Sequence, residues 1–154
     1  MSSDLARKIR VGLEEFATVR VQFESLQALP LGADPGVIQT SAACAMLHSF
    51  YTEIEKILKL IAREYGSLPT SESWHRDLLI QMSEPTENRP AVLSAESLGI
   101  LKEFLAFRHL FRGASIALMR WDKIHPLIVE IDQTYRRVNG EIKEFESFLE
   151  RPQP

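Results

Sequence analysis

The stretch Phe107-Arg108-His109-Leu110-Phe111-Arg112-Gly113-Ala114-Ser115 holds the side chains most able to do chemistry. Arg108 falls on the series Leu101, Phe104, Arg108, Phe111, Ser115, Leu118, which steps by three and four as one face of a helix does. Periodicity assigns an apolar residue to that position. A guanidinium there must meet a carboxylate, a carbonyl, a phosphate or water. Arg112 follows one turn on, and two arginines so spaced can fork a phosphate. The other reading is a structural ion pair with a glutamate such as Glu53 or Glu55 on the second long helix. His109 points about 100° away from Arg108 around the helix, toward solvent or a partner.

The remaining histidines are His48, His75 and His125, and no two of the four stand three or four residues apart. No helical metal site is expected from them. His48 reads as a core histidine with its hydrogen bonds satisfied, and His75, beside Trp74, as one that docks a loop. Cys44 is the single cysteine, which excludes an intramolecular disulfide and a cysteine zinc site. Set among alanines, it reads as a small packed residue, and its isolation favours a reducing, cytoplasmic setting. There is no glycine-rich phosphate loop, nucleophile elbow or zinc-peptidase motif, so no cofactor is expected.

The chain that must position these groups has 154 residues, a length suited to a single domain. It is 45% hydrophobic and 25% charged, enough apolar material for one core and too much for wholesale disorder. Its net charge of −3 excludes a polybasic nucleic-acid coat but allows a local basic patch. From Ala95 to Lys123 the net is +2, while Glu130 to Glu150 carries the acidic excess. No segment approaches the length of a membrane span, and Met1 to Arg10 lacks the apolar core of a secretory signal.

Proline and glycine divide the sequence into helical runs. The first is expected over Asp4 to Leu29, with Leu5, Ile9, Gly12, Phe16, Val19, Phe23 and Leu26 on one seam. Gly12 on that seam allows a close helix approach. The second runs from Val37 to Tyr65 and is apolar around much of its circumference, so it is central or faces a second subunit. A short helix over Ser73 to Met82, a loop over Ser83 to Leu93 and an N-cap at Ser94 follow. The last two runs are Ala95 to Met119 and a helix opening on Pro126. The expected fold is all-α: an antiparallel up-down bundle of four long helices plus one short one. A second copy could cover the extra apolar face as a homodimer.

Four blocks, His48-Ser49-Phe50-Tyr51-Thr52-Glu53-Ile54-Glu55-Lys56-Ile57, Trp74-His75-Arg76-Asp77-Leu78-Leu79, Phe107-Arg108-His109-Leu110-Phe111-Arg112, and Trp121 with Pro126-Leu127, resemble the HepT-like proteins of the HEPN superfamily. The resemblance runs from about Ser41 to the C-terminus. It implies a helical bundle, usually homodimeric, in a toxin–antitoxin setting. The toxin is a metal-independent ribonuclease, and a small MntA-like nucleotidyltransferase silences it by adding AMP to a tyrosine. The family's motif is Arg, four to six residues, His, one residue, Tyr. Arg108 matches the arginine, but Gly113 stands where the histidine would be and Ser115 where the tyrosine would be.

Cutting RNA without a metal requires a group to take the 2′-hydroxyl proton and a charge to stabilise the phosphorane. Arg108 and Arg112 suit the second task, and no side chain at 113 can perform the first. The expectation is a HepT-like protein whose ribonuclease activity is weak, altered or lost. Two alternatives remain open: an active ribonuclease using Arg108, Arg112 and His109, or a pure interaction subunit for a nucleotidyltransferase in which Arg108 is structural.

Overall fold

Gly12 brings two helices so close that a side chain would not fit between them: a Cβ there would lie 2.7 Å from Ile57 Cγ1. This is the close approach expected from the sequence. The computed structural model describes residues 2–27, 34–113 and 118–152. Its helices are α1 (Ser2–Val21), the single turn α2 (Glu24–Gln27), α3 (Val37–Tyr65), α4 (Trp74–Ser83), α5 (Ala95–Gly113) and α6 (Trp121–Glu150). No strand occurs among the described residues.

α3 is the central helix, packed against α1, α4, α5 and α6. Its buried residues include Cys44, Leu47, Phe50, Tyr51, Ile54, Ile57, Leu58 and Ile61, which face several directions because neighbours surround it. Phe50 joins the layers: its ring lies 5.0 Å from Phe16 of α1 and 5.3 Å from Phe104 of α5. α1 runs antiparallel to α6, since Arg10 pairs with Glu146 and Glu150 while Arg20 pairs with Asp132. The expected up-down bundle of four long helices and one short helix is the architecture found.

The helix ends depart from expectation in three places. The first run is interrupted by a turn at Gln22 and Phe23 before α2. The seam does not betray it, because Phe23 stays fully buried against the edge of Phe50. The last helix begins at Trp121, five residues before Pro126, which lies inside it. A proline in the second turn forfeits one hydrogen bond there, and burial of Trp121, Ile124 and His125 offsets it. Finally, α5 is described as far as Gly113, and on the far side of residues 114–117 exposed Leu118 has 3₁₀ rather than α-helical geometry and Met119 is in no helix, short of the expected continuation. Ser115 of that seam lies outside the described residues, as do Leu29, Pro30 and Gly32.

The connection from α4 to α5 is fixed by Arg89. This buried guanidinium donates to the carbonyls of Gln81, Glu84 and Pro90 at 2.8–3.0 Å. Met82 O accepts from both Val92 N and Leu93 N. Ser94 Oγ then accepts from Ser97 N at 3.1 Å, the expected N-cap of α5. This pinned loop sets where α5 starts, and so where Arg108 arrives beside α3.

Candidate functional site

Tyr51, Glu55 and Lys59 recur every four residues along α3, on one stripe of the central helix. Glu55 is buried, with its side chain only 4% exposed, so its charge needs partners. α4 and α5 provide them. His75, the second residue of α4, places Nδ1 at 2.6 Å from Glu55 Oε2. Arg108 of α5 brings Nη1 to 3.6 Å from Glu55 Oε1, and to 2.8 Å and 3.3 Å from His75 Nδ1 and Nε2. Lys59 Nζ stands 4.0 Å from Glu55 Oε1 and over the Trp74 ring, 5.0 Å from its centroid. Trp74 stacks on His75 at 3.6 Å.

The contacts assign the protons. Burial lowers the His75 pKa; Glu55 opposes the shift, while Arg108 and His109 add to it. The ring is therefore neutral near pH 7 and carries one proton. A carboxylate at 2.6 Å only accepts, so the proton sits on Nδ1 and is donated to Glu55. Of the two ring nitrogens that Arg108 Nη1 touches, Nδ1 at 2.8 Å then has no lone pair to offer, so Arg108 can donate only over the longer 3.3 Å contact to Nε2. Neutral imidazole, anionic carboxylate and cationic guanidinium interlock three helices.

Beside this cluster lie polar atoms with no hydrogen-bond partner among the described residues: Arg108 Nε, Tyr51 Oη, Thr52 Oγ1 and His48 Nδ1. Burial, reinforced by Glu55, drives the Tyr51 phenol far above its ordinary pKa, so it stays neutral. Burial and the charges of Arg108 and Arg112 lower that of His48. His48 is thus half-buried beside Phe111 with an unpaired Nδ1, where the sequence suggested a satisfied core histidine. His75 likewise departs from expectation. It docks no loop but joins α4 to α3 and α5.

The site residues named from the sequence fall in distinct places. Arg108 is at the cluster, and of its two proposed partners Glu55 is the one it meets; Glu53 pairs with Lys56 instead. His109 is exposed, yet the edge of its ring approaches His75 at 5.9 Å between centroids. Arg112 is exposed one turn beyond. Gly113 is the exposed last residue of α5, and a Cβ there would meet nothing within 4 Å. Ser115 lies outside the described residues. Sequence reasoning missed His75, and the available signal was Glu55 itself: a carboxylate four residues from Tyr51 on a helix with apolar residues on several sides has to be paired.

The family model for HepT-like proteins matches residues 42–149. The chain belongs to the HepT-like family. The match covers α4, α5 and nearly all of α3 and α6, and so every member of the Glu55, His75 and Arg108 cluster. No curated protein and no solved structure matches this HepT-like protein. Among its described residues no group of three histidine, cysteine, aspartate or glutamate side chains could hold a metal ion. No helix among them is long and apolar enough to cross a membrane.

Proposed function

We propose that this HepT-like protein serves on the toxin side of a toxin–antitoxin pair, binds RNA through the Arg108 and Arg112 face, and has weak or lost ribonuclease activity. Its partner would be an MntA-like nucleotidyltransferase. One observation carries the reading: Arg112 stands exposed one turn beyond the mostly buried Arg108, while a Cβ at the motif's histidine position, Gly113, meets nothing within 4 Å among the described residues. Arginine can hold a phosphate, and glycine can move no proton. Homodimerisation belongs to the same reading. It is supported by Val37 and Ile38 at the start of α3 and Leu110 near the end of α5, exposed apolar side chains that a second copy could cover.

Two measurements test this. A gel-shift titration with single-stranded RNA should show salt-sensitive binding that weakens in Arg112→Ala. Co-expression with an MntA-like nucleotidyltransferase should yield a stable complex. Absence of both would leave the reading without support. The alternative, a pure interaction subunit, draws on the Arg108–Glu55 ion pair. It predicts the complex without the RNA shift.

A further inference from the structure

The sequence has lost the motif histidine, but the fold brings another one to the arginine. We propose that His75 is the proton-accepting catalytic residue for RNA cleavage by this protein, with Glu55 as its positioning residue and Arg108 as the phosphate-holding group. The proposal rests on RNA being the ligand of this face.

The geometry supplies each requirement. A base needs a fixed tautomer, and Glu55 Oε2 at 2.6 Å holds the proton on Nδ1, which leaves the Nε2 lone pair unprotonated, with Arg108 Nη1 lying across both ring nitrogens at 2.8 Å from Nδ1 and 3.3 Å from Nε2. It must be unprotonated near pH 7, and burial with Arg108 alongside keeps it so. The ring must not rotate away, and Trp74 stacks on its face at 3.6 Å. The phosphate needs a cation next to the base, and Arg108 Nη1 is 3.3 Å from Nε2. In the free protein Arg108 donates to that lone pair. A phosphate oxygen competes for the same guanidinium with a full charge, so substrate binding draws Arg108 off and exposes the base it had covered. His75 and Arg108 each keep a sliver of surface, 9% and 13% of their side chains, with exposed His109 at the edge.

The step balances without a further reactant. His75 Nε2 takes the proton of a ribose 2′-hydroxyl. The 2′-oxygen bonds to the adjacent phosphorus and the bond from phosphorus to the 5′-oxygen breaks. The 5′-oxygen leaves with a proton from solvent, and His75 returns its own to solvent. The products are a 2′,3′-cyclic phosphate and a 5′-hydroxyl.

The test uses the full chain and a single-stranded RNA oligonucleotide, with the 2′-deoxy oligonucleotide as control. We expect slow cleavage of RNA alone, leaving 2′,3′-cyclic ends. The wild-type rate should rise with pH along one ionisation below the ordinary histidine value and then level off. His75→Gln, whose amide can still donate to Glu55, should bind RNA as before but cut about 10²–10⁴-fold more slowly. RNA binding without cleavage would sink the assignment and leave RNA as the ligand. No RNA binding would sink the underlying reading. A flat pH profile, or full activity in His75→Gln, would also overturn the proposal; the profile needs no variant that might misfold.

Discussion

Arg108 Nη1 stands 3.6 Å from Glu55 Oε1, an arginine of α5 facing a carboxylate sunk in the central helix. Glu55 also receives His75 at 2.6 Å and Lys59 at 4.0 Å, so one carboxylate gathers two cations and a neutral imidazole. Its neighbours do not depend on it equally. Removing Glu55 strands a nearly buried guanidinium, whereas removing Arg108 leaves Glu55 with two partners.

The first prediction follows from that asymmetry. Glu55→Ala should cost about 3–5 kcal/mol of folding stability, the range for breaking a buried pair from one side. Arg108→Ala should cost less than Glu55→Ala. Urea unfolding of the two variants checks the order, and a larger loss for Arg108→Ala would show that Glu55 is not the hub.

Acid should weaken the bundle through buried His75 and half-buried His48. His48 and His75 both have folded pKa values below the ordinary histidine value of 6.5, each chiefly through burial. The unfolded chain therefore takes up protons first as pH falls. Their contribution to stability is complete above about pH 6.5 and shrinks as pH drops toward the folded values. Melting temperatures should hold between pH 8 and 7 and fall between pH 6.5 and 5. His75→Gln should flatten part of that decline. A bundle that melts higher at pH 5 than at pH 7 would contradict the protonation states assigned here.

Two glycines should respond in opposite ways to alanine. At Gly12 the new Cβ meets Ile57 Cγ1 at 2.7 Å, and forcing the helices apart should cost about 1–3 kcal/mol despite alanine's better helix propensity. At Gly140, exposed within α6, a Cβ meets nothing within 4 Å, so alanine should stabilise by about 0.5–1 kcal/mol. Thermal unfolding of both variants gives the signs directly.

The bundle was legible because burial repeats with the helix: Leu5, Ile9 and Phe16 announce one face of α1 whatever they pack against. Gly12 was legible for the same reason, being a small residue on a large-residue seam. Arg108 stood out as a charge on an apolar seam, and Glu55 could be named as one of two partners. The third member could not be read. His75 lies on a short helix, twenty residues from Glu55 and thirty-three from Arg108, and no local period links them. The start of α6 was missed because Pro126 marks a boundary only statistically, and the buried Trp121 and Ile124 outweigh its lost hydrogen bond.

The last prediction puts the motif position back to use. Gly113 is the last described residue of α5, and a Cβ there meets nothing within 4 Å among the described residues, so a larger side chain can enter without moving the core. Gly113→His should fold as the wild type does, and it supplies a group that titrates near neutrality at the position the proposed motif gives to histidine. If the family's chemistry operates from that position, RNA cleavage should rise by about 10²-fold or more, the scale of restored acid–base help. The increase should vanish when Arg108→Ala is added, because the phosphate would lose its cation. Cleavage by Gly113→His that stays at the wild-type level would mean that the phosphate sits on the His75 side of Arg108, out of reach of position 113.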